Sequence, residues 1–507
     1  MLKTKDGEVR NGKVRVGKDL LELISSAMYV EPLTAYREYI QNAADSLDEA
    51  RQRGLLAGGA DGRIEIELDQ AARSVRIRDN GAVPPASEAI DRLLALGGSG
   101  KRGTGARGFR GVGRLAALGY AQFLLFRTRA QGEAAVTEIL WDVRKLRTAL
   151  TDPDIHDLAD IIREVVEIRT VPAEDRPARF FEVEIGRIVR QRGDRLLDRA
   201  AVEAYVSQIA PVPFAGGFSH GAAIASALRA AGPLGEFEVT IDGGVPVTRP
   251  HEDVFGVGSA ETRVHEVKIV ELPGMDGGLA AIAWFAHHDY KGAIAGAALV
   301  KGVRVRVGNI QVGDQSILEQ IFPESRFNSW TVGEVHIFDQ RIVPNGRRDE
   351  FETNSHYANL VNQLSPVGRD IARRCRTSST LRSKLRDFEL TNKDVEERLS
   401  VLDQGALSAE ARAGELTRIT QAVEKMRKVA AAEELAEDAR AELVGIIGRL
   451  EAKAVHAGGD LGNDPLEMIK ASERETYRLL FDLIYECSVN RVAAKTLVDK
   501  IITRLAA

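Results

Sequence analysis

The segment Arg37–Ala50, with the sequence REYIQNAADSLDEA, carries polar side chains at a spacing that suits chemistry. Read as a helix, it aligns Glu38, Asn42 and Asp45 along one stripe, at positions i, i+4 and i+7. A glutamate can deprotonate an attacking water. An amide oxygen one turn later can bind Mg²⁺, which takes few protein ligands when it also binds phosphates. The same stripe on an ordinary helix is a solvated face, so the other motifs must decide between the two interpretations.

A strand that ends in Asp-Asn-Gly follows this helix. The segment 62–81, GRIEIELDQAARSVRIRDNG, alternates apolar and polar residues on both sides of a polar turn, which predicts a β-hairpin. Asp79 lies at its end, beside Gly81, and offers acceptor oxygens that suit the exocyclic amine of a purine. An ordinary Asn-Gly turn is the alternative interpretation.

A glycine-rich loop at 93–121 runs into a helix of small residues. Such a loop offers backbone N–H groups and the positive end of a helix dipole to a phosphate chain. Lys101 in this loop suits a phosphate contact, with a flexible solvated lysine as the alternative. The segment GFRGVG lets the backbone approach phosphate closely and consists of Gly108, Phe109, Arg110, Gly111, Val112 and Gly113. The segment GTGARG does not follow a βαβ strand and no P-loop pattern occurs, so neither of those nucleotide motifs is favoured.

Composition bounds the class of protein. The chain has 507 residues, 44% of them hydrophobic, and a formal net charge of -5, which is typical of a globular protein with several domains rather than a polycation. Cys375 and Cys487 form no C-x-x-C pair, so we expect a reducing, cytoplasmic compartment without zinc. The N-terminus has no apolar signal region, and no run is long enough to span a membrane. The HHD segment at 287–289 favours a structural role over metal binding.

Three regions follow from the patterns, which together predict an α+β fold with a helical C-terminal region. We expect a nucleotide-binding domain at 1–195, a mixed helix and strand domain at 196–365, and a helical, charged region at 366–507. Within the last region, apolar residues at 3-4-3 spacing predict a short coiled-coil-like seam for dimerisation or partner binding. The seam consists of Leu416, Ile419, Val423 and Met426.

Three of these motifs occur in an order that resembles the ATPase superfamily of gyrase, heat-shock protein 90, histidine kinases and MutL. Its E-x-x-x-N signature matches Glu38 and Asn42, its D-x-G-x-G signature matches DNGAV, and its G-x-x-G-x-G lid matches GFRGVG. The longer segment around Glu38 looks most like the heat-shock protein 90 and MORC branch. The resemblance implies a Bergerat-type α/β sandwich that binds ATP and Mg²⁺.

The resemblance also implies roles for the matched residues. Glu38 would be the general base, Asn42 the magnesium ligand and Asp79 the reader of adenine. Asp45 would support the site through water, and Gly81 would let adenine pack against the backbone. Two departures stand out. Val83 replaces the second glycine of D-x-G-x-G, and FFEVEI occupies the place where the family has Gly-Thr.

The segment 326–352 resembles the middle domain of heat-shock protein 90, a ribosomal S5 domain 2-like fold. In that family a loop after a strand supplies an arginine to the γ-phosphate. Here the loop is PNGRRDEF, in which Arg348 is the best match and Arg347 its rival. A guanidinium spreads charge over phosphoryl oxygens, as an arginine finger does. An ordinary basic turn is the alternative.

These matches predict a slow, chaperone-like ATPase that works as a homodimeric clamp on a client protein. The alternative is a MORC- or MutL-like ATPase that acts on duplex DNA in genome maintenance or defence, with the basic segment 374–386 as its contact. A histidine kinase is disfavoured because no phosphoacceptor helix precedes the module. A type II topoisomerase is disfavoured because no tyrosine-bearing cleavage domain is evident. Neither the chaperone-like nor the DNA-acting interpretation involves a membrane.

Overall fold

The computed structural model describes residues 2–3, 9–10, 18, 31–56, 62–95, 113–154, 157–190, 193–459 and 464–506. The chain divides into two compact units, Met1–Ala372 and Arg373–Ala507. Two short strands, β1 (Leu2–Lys3) and β2 (Val9–Arg10), pair with each other in antiparallel fashion. No helix in the described ranges is both long and apolar enough to cross a membrane.

A seven-stranded sheet forms the first layer of the larger unit, in the order β7-β6-β5-β8-β4-β3-β9. Its strands are β3 (Arg63–Asp69), β4 (Ser74–Asp79), β5 (Phe123–Arg129), β6 (Ala135–Asp142), β7 (Val166–Pro172), β8 (Phe180–Gly186) and β9 (Glu238–Ile241). All neighbours are antiparallel except β3 and β9. The predicted hairpin at 62–81 is confirmed. Because β9 completes the sheet, this layer continues past residue 195, where the sequence places the end of the first domain.

The outer face of this sheet carries a ladder of alternating charges across six strands. Its members lie directly opposite one another, and they are Glu65, Arg78, Glu182, Arg127, Glu138 and Arg169. Arg127 is central, with its guanidinium 2.9 Å from Glu138 and 2.7 Å from Glu182. Opposite charges at directly opposed positions stabilise one register, and a slip by one residue would turn them toward the apolar face of the sheet. The ladder therefore fixes which face of the sheet receives the helices.

Helices cover the inner, apolar face. They are α1 (Thr34–Gln52), α2 (Ala86–Leu94), α3 (Val143–Thr151), α4 (Leu158–Val165) and α5 (Arg199–Ile209). Helix α1 packs its apolar stripe into the core, since Ile40, Ala44 and Leu47 are fully buried. That packing fixes the rotation of α1 about its axis. A short 3₁₀ turn, Gly113–Leu115, precedes β5.

A second, five-stranded sheet has the order β12-β13-β16-β14-β15. It and its neighbouring elements comprise α6 (Gly221–Ala231), β10 (Val254–Val257), β11 (Ala260–Arg263), β12 (Glu266–Pro273), β13 (Leu279–His287), β14 (Gly302–Val307), β15 (Ile310–Val312) and β16 (Val332–Ile337). Three further 3₁₀ turns lie at Gly296–Ala298, Glu319–Ile321 and Ser325–Trp330. The mixture of helix and strand that the sequence predicts for 196–365 is observed, with the strands in LAAIAWFAHH, VRVRVGN and GEVHIFD in this sheet and the strand in FEVTIDG in the first.

The C-terminal region is helical, as predicted. It consists of α7 (Ser355–Asp403), α8 (Ala409–Ala430), α9 (Glu437–Gly458), α10 (Ala471–Cys487) and α11 (Arg491–Leu505). In the predicted seam on α8, Ile419, Val423 and Met426 are buried in a core that the chain's own helices form. The 3-4-3 spacing thus serves packing within this unit. The α+β layout with helices at the C-terminal end is confirmed in this coarse form.

Candidate functional site

Helix α1 keeps two carboxylates and an amide together. Glu38 is 6% exposed and Asp45 is 8% exposed, although both are charged, and Asn42 between them is half-buried. Charged side chains are seldom buried without a specific reason. The buried Oε1 of Glu38 makes no hydrogen bond to any described residue. A buried carboxylate oxygen of this kind has capacity to accept a hydrogen bond from a water or a ligand.

The turn that follows the Asp-Asn-Gly segment is hydrogen-bonded directly to α1. The backbone N–H of Ala82 donates to the Ser46 carbonyl at 2.9 Å, and the Ser46 hydroxyl donates to the Ala82 carbonyl at 3.1 Å. Asp79, which is 4% exposed, accepts from the backbone N–H of Gly81 at 2.9 Å. A Cβ at Gly81 would lie 2.2 Å from the Ser46 hydroxyl, so only glycine allows this approach. The turn after β4 and helix α1 are therefore in direct contact.

The end of the predicted lid also contacts α1. A Cβ at Gly113 would lie 2.1 Å from Oε2 of Glu38, so the backbone there borders the carboxylate. The Tyr39 hydroxyl donates to the carbonyl of Arg114 at 3.0 Å, and burial raises the pKa of this phenol. The other predicted lid residues lie outside the described ranges, and they are Lys101, Gly108, Phe109, Arg110, Gly111 and Val112.

The predicted arginine loop reaches the same helix. Arg37, only 5% exposed, donates to the carbonyl of Arg348 at 3.2 Å and to that of Arg347 at 2.6 Å. Its guanidinium is also 3.7 Å from Glu38. The Arg347 side chain is 55% exposed and pairs with Asp349 at 2.9 Å. Arg348 is 6% exposed and has a φ of 56°, so the loop buries this arginine and directs the other to solvent.

A buried ionic cluster lies in the second sheet and is called here the Glu334 cluster. Glu334 on β16 is 2.6 Å from Arg249, 2.7 Å from Arg306 and 3.0 Å from His336. All four are at most 3% exposed. Burial alone would raise the pKa of Glu334, but Arg306 and Arg249 hold that pKa well below its usual range. The carboxylate is therefore ionised and fully compensated.

The Glu334 cluster also fastens the segment that follows α5. Arg306 donates to the carbonyls of Gln208 and Ala210 at 2.6 and 3.3 Å, and Arg249 donates to that of Val212 at 3.0 Å. Helix α5 itself belongs to the core of the first sheet. The cluster thus ties the two sheets together, while the loop with Arg348 is bonded to α1 separately, through Arg37.

Three buried histidines make stability depend on pH. Burial lowers the pKa of His251 to about 3, and that of His288 and of His336 to about 4. An unfolded histidine has a pKa of about 6.5, so below that pH the unfolded chain binds more protons than the folded one.

We therefore expect the free energy of unfolding to be highest above pH 6.5 and to fall between about pH 6.5 and 4, by up to roughly 1.4 kcal/mol per pH unit for each histidine. Urea unfolding at a series of pH values measures this slope. Replacing His288 with glutamine should remove one titrating group, so the slope of the unfolding free energy against pH should fall by about 1.4 kcal/mol per pH unit. A flat profile would contradict the burial of neutral histidines.

Sequence reasoning missed three contributors to this arrangement. Arg37 directly precedes Glu38 at the start of the stripe, and a cation next to a candidate base is the signal that the sequence offers for it. Tyr39 and Ser46 reach the lid end and the turn by hydrogen bonds that no sequence spacing indicates. Each of these contacts depends on tertiary structure.

The described residues offer no conventional protein metal centre. Nowhere in those ranges do three His, Cys, Asp or Glu side chains come together as a metal site. The HHD segment has other contacts, since His287 is 2.7 Å from the Tyr290 hydroxyl and His288 donates to the Trp330 carbonyl at 2.9 Å. The half-buried amide of Asn42 fits an ion that takes most of its ligands from phosphate and water.

Comparison with known proteins finds partial relatives. Chaperone protein HtpG of Cronobacter sakazakii is 30% identical over 142 residues, which cover 25% of this chain and 23% of that protein. HtpG of Pectobacterium atrosepticum is 31% identical and HtpG of Yersinia pestis 30% identical over matches of the same length and coverage. The chain therefore spans about a quarter of the length of these relatives. No protein-family model matches the chain.

Proposed function

We propose that this chain binds ATP with Mg²⁺ and hydrolyses it in the manner of heat-shock protein 90. The observation that carries the proposal is the joint placement of Glu38, Asn42 and Asp79, which α1 and the turn after β4 bring to one side of the sheet. The partial likeness to HtpG supports an ATPase of the heat-shock protein 90 kind rather than one of the MORC kind.

The two ends of the site have separate tasks. At the base end, Asp79 accepts a hydrogen bond from the exocyclic amine of adenine, and Gly81 leaves space for the ring. At the phosphate end, Asn42 would supply an amide oxygen to Mg²⁺, and the ion would neutralise phosphate charge. Asp45 orders water between these ends. Gly113, which borders Glu38, would lie at this end too.

Hydrolysis needs a base and a cation near the γ-phosphate. Glu38 accepts a proton from a water whose oxygen attacks the γ-phosphorus, and ADP leaves as the bridging bond breaks. Arg348 stabilises the charge on the transferred phosphoryl oxygens. Arg37 contacts both Glu38 and the backbone of the arginine loop, so it positions the base relative to the cation.

The Asp79→Asn variant tests the base end. The amide presents a donor beside the amine of adenine and removes a charge-assisted hydrogen bond, worth about 1.5–3 kcal/mol. We expect calorimetry to show ATP binding weakened by about 10- to 100-fold. Asp69→Asn is the matched control, since Asp69 ends the partner strand of the same hairpin but is exposed. Equal binding by wild type and Asp79→Asn would refute the assignment.

ATP hydrolysis is proposed to drive a chaperone-like activity of a homodimer. Exposed apolar side chains lie on the last two helices, with Leu479 and Leu483 on α10 each 56% exposed and Val492 near the start of α11 57% exposed. Surfaces of this kind commonly mark association sites.

We expect sedimentation analysis to show a dimer that Leu483→Glu converts to monomer. The control Glu475→Lys, at an exposed position of the same helix, should leave the dimer intact. A wild-type monomer at micromolar concentration would contradict dimerisation.

A further inference from the structure

An aromatic ring borders the base end of the proposed site. In the register of β4 and β8, Phe181 lies directly opposite Asp79. Residues directly opposite in an antiparallel pair project from the same face of the sheet, with their Cβ atoms about 5 Å apart. Phe181 and the proposed reader of adenine are therefore immediate neighbours.

Both side chains lie on the face that α1 covers. Asp79 follows Val75 and Ile77 at every second position of β4, and both of these belong to the core beneath the helices. Phe181 is half-buried and packs against the edge of that core. Its ring centroid is 6.2 Å from that of Phe126 on β5. The orientation of the ring toward the site is thus fixed by alternation and by packing.

A third residue completes the row across the sheet. Thr128 on β5 lies directly opposite Phe181, and it is fully buried. Its hydroxyl has no hydrogen-bond partner among the residues that the structure describes. Because Asp79 is only 4% exposed, Phe181 is the one member of the row with substantial accessible surface. A base that enters here meets the phenyl ring, and the ring separates it from the Thr128 hydroxyl.

We propose that Phe181 sets the size limit at the base end, so that the site takes an unsubstituted adenine and excludes purines enlarged on the exocyclic amine. This inference rests on the proposed function, because it requires the amine to approach Asp79. A substituent on the exocyclic amine of adenine would extend past the carboxylate of Asp79 toward Thr128. The phenyl ring of Phe181 fills that space. Replacing the ring with a small side chain opens that space down to Thr128.

The test uses ATP and an ATP analogue with a benzyl group on the exocyclic amine, titrated into the full chain by calorimetry. Wild type is expected to bind the analogue about 10-fold or more weaker than ATP. Phe181→Ala and the milder Phe181→Val should bind the two nucleotides with affinities within about threefold of each other. Circular dichroism of each variant confirms that the fold is retained.

Phe180→Val is the matched control. Phe180 is the preceding residue on β8, and it projects from the opposite face into a separate small cluster with Val136 and Ala173. It should keep the wild-type preference for ATP. Wild type that binds both nucleotides equally, or Phe181 variants that bind ATP and still reject the analogue, would overturn the role of Phe181 and leave the ATP site standing. Wild type that binds neither nucleotide would overturn the proposed function as well.

Discussion

Replacing Glu38 with alanine is expected to lower the rate of ATP hydrolysis by about 100- to 10,000-fold, because a general base contributes roughly that factor. Affinity for ATP should change little, since the carboxylate acts on water and not on the nucleotide. The side chain is buried beside Gly113 and Arg37, so its removal also frees Arg37 from its 3.7 Å ion pair. Single-turnover phosphate release separates the chemical step from binding.

Glu49→Ala is the matched control for that experiment. Glu49 lies on the same helix, but it faces outward and pairs with Arg53 near the helix end. Hydrolysis by this variant should equal that of wild type. Full activity of Glu38→Ala would remove the central residue of the proposed mechanism, and loss of binding would mean that Glu38 holds the fold of the site.

The second large effect concerns stability. Glu334→Gln removes the charge that compensates Arg249 and Arg306, both essentially unexposed. Breaking a buried ion pair by neutralising one partner costs about 3–5 kcal/mol. We expect the free energy of unfolding to fall by that amount in urea titrations at neutral pH. ATP hydrolysis should fall with it, because the cluster holds the segment after α5 and the second sheet together.

Glu271→Gln controls for the loss of a carboxylate from the same sheet. Glu271 lies on the edge strand β12 and is exposed, so its change should leave the unfolding midpoint unaltered. Acidification provides a second check. The folded pKa of Glu334 is depressed, so the stability it contributes is present above the unfolded value of about 4 and is lost only as pH falls through the lower folded value. An unchanged unfolding midpoint in Glu334→Gln would contradict the role of the cluster.

Local patterns predicted the elements that carry the site. The period of two in 62–81 predicted β3 and β4, and the apolar stripe of 37–50 predicted α1, because both signals arise within a few residues. Strands β6 and β7 and helices α3 and α4 were not predicted. In β7 most side chains are exposed, so the strand forms by pairing with β6 and has little apolar alternation of its own.

Long-range contacts were beyond the reach of sequence patterns. Arg37 and Arg347 are 310 positions apart, and only the folded chain shows that one donates to the carbonyl of the other. The burial of Glu334 opposes the usual preference of carboxylates for the surface, and its compensation comes from Arg249 and Arg306 on other segments. Charge compensation of this kind is a property of the tertiary structure.

Helix α1 and the turn after β4 form the magnesium-dependent ATP site that we propose. Its most direct test is calorimetric titration of the full chain with a non-hydrolysable ATP analogue, in the presence of Mg²⁺ and again after chelation. We expect one nucleotide to bind per chain and the affinity to fall markedly when Mg²⁺ is removed. Absence of binding with Mg²⁺ present would contradict an ATP site on α1, and the buried polar face of this helix would then need another explanation.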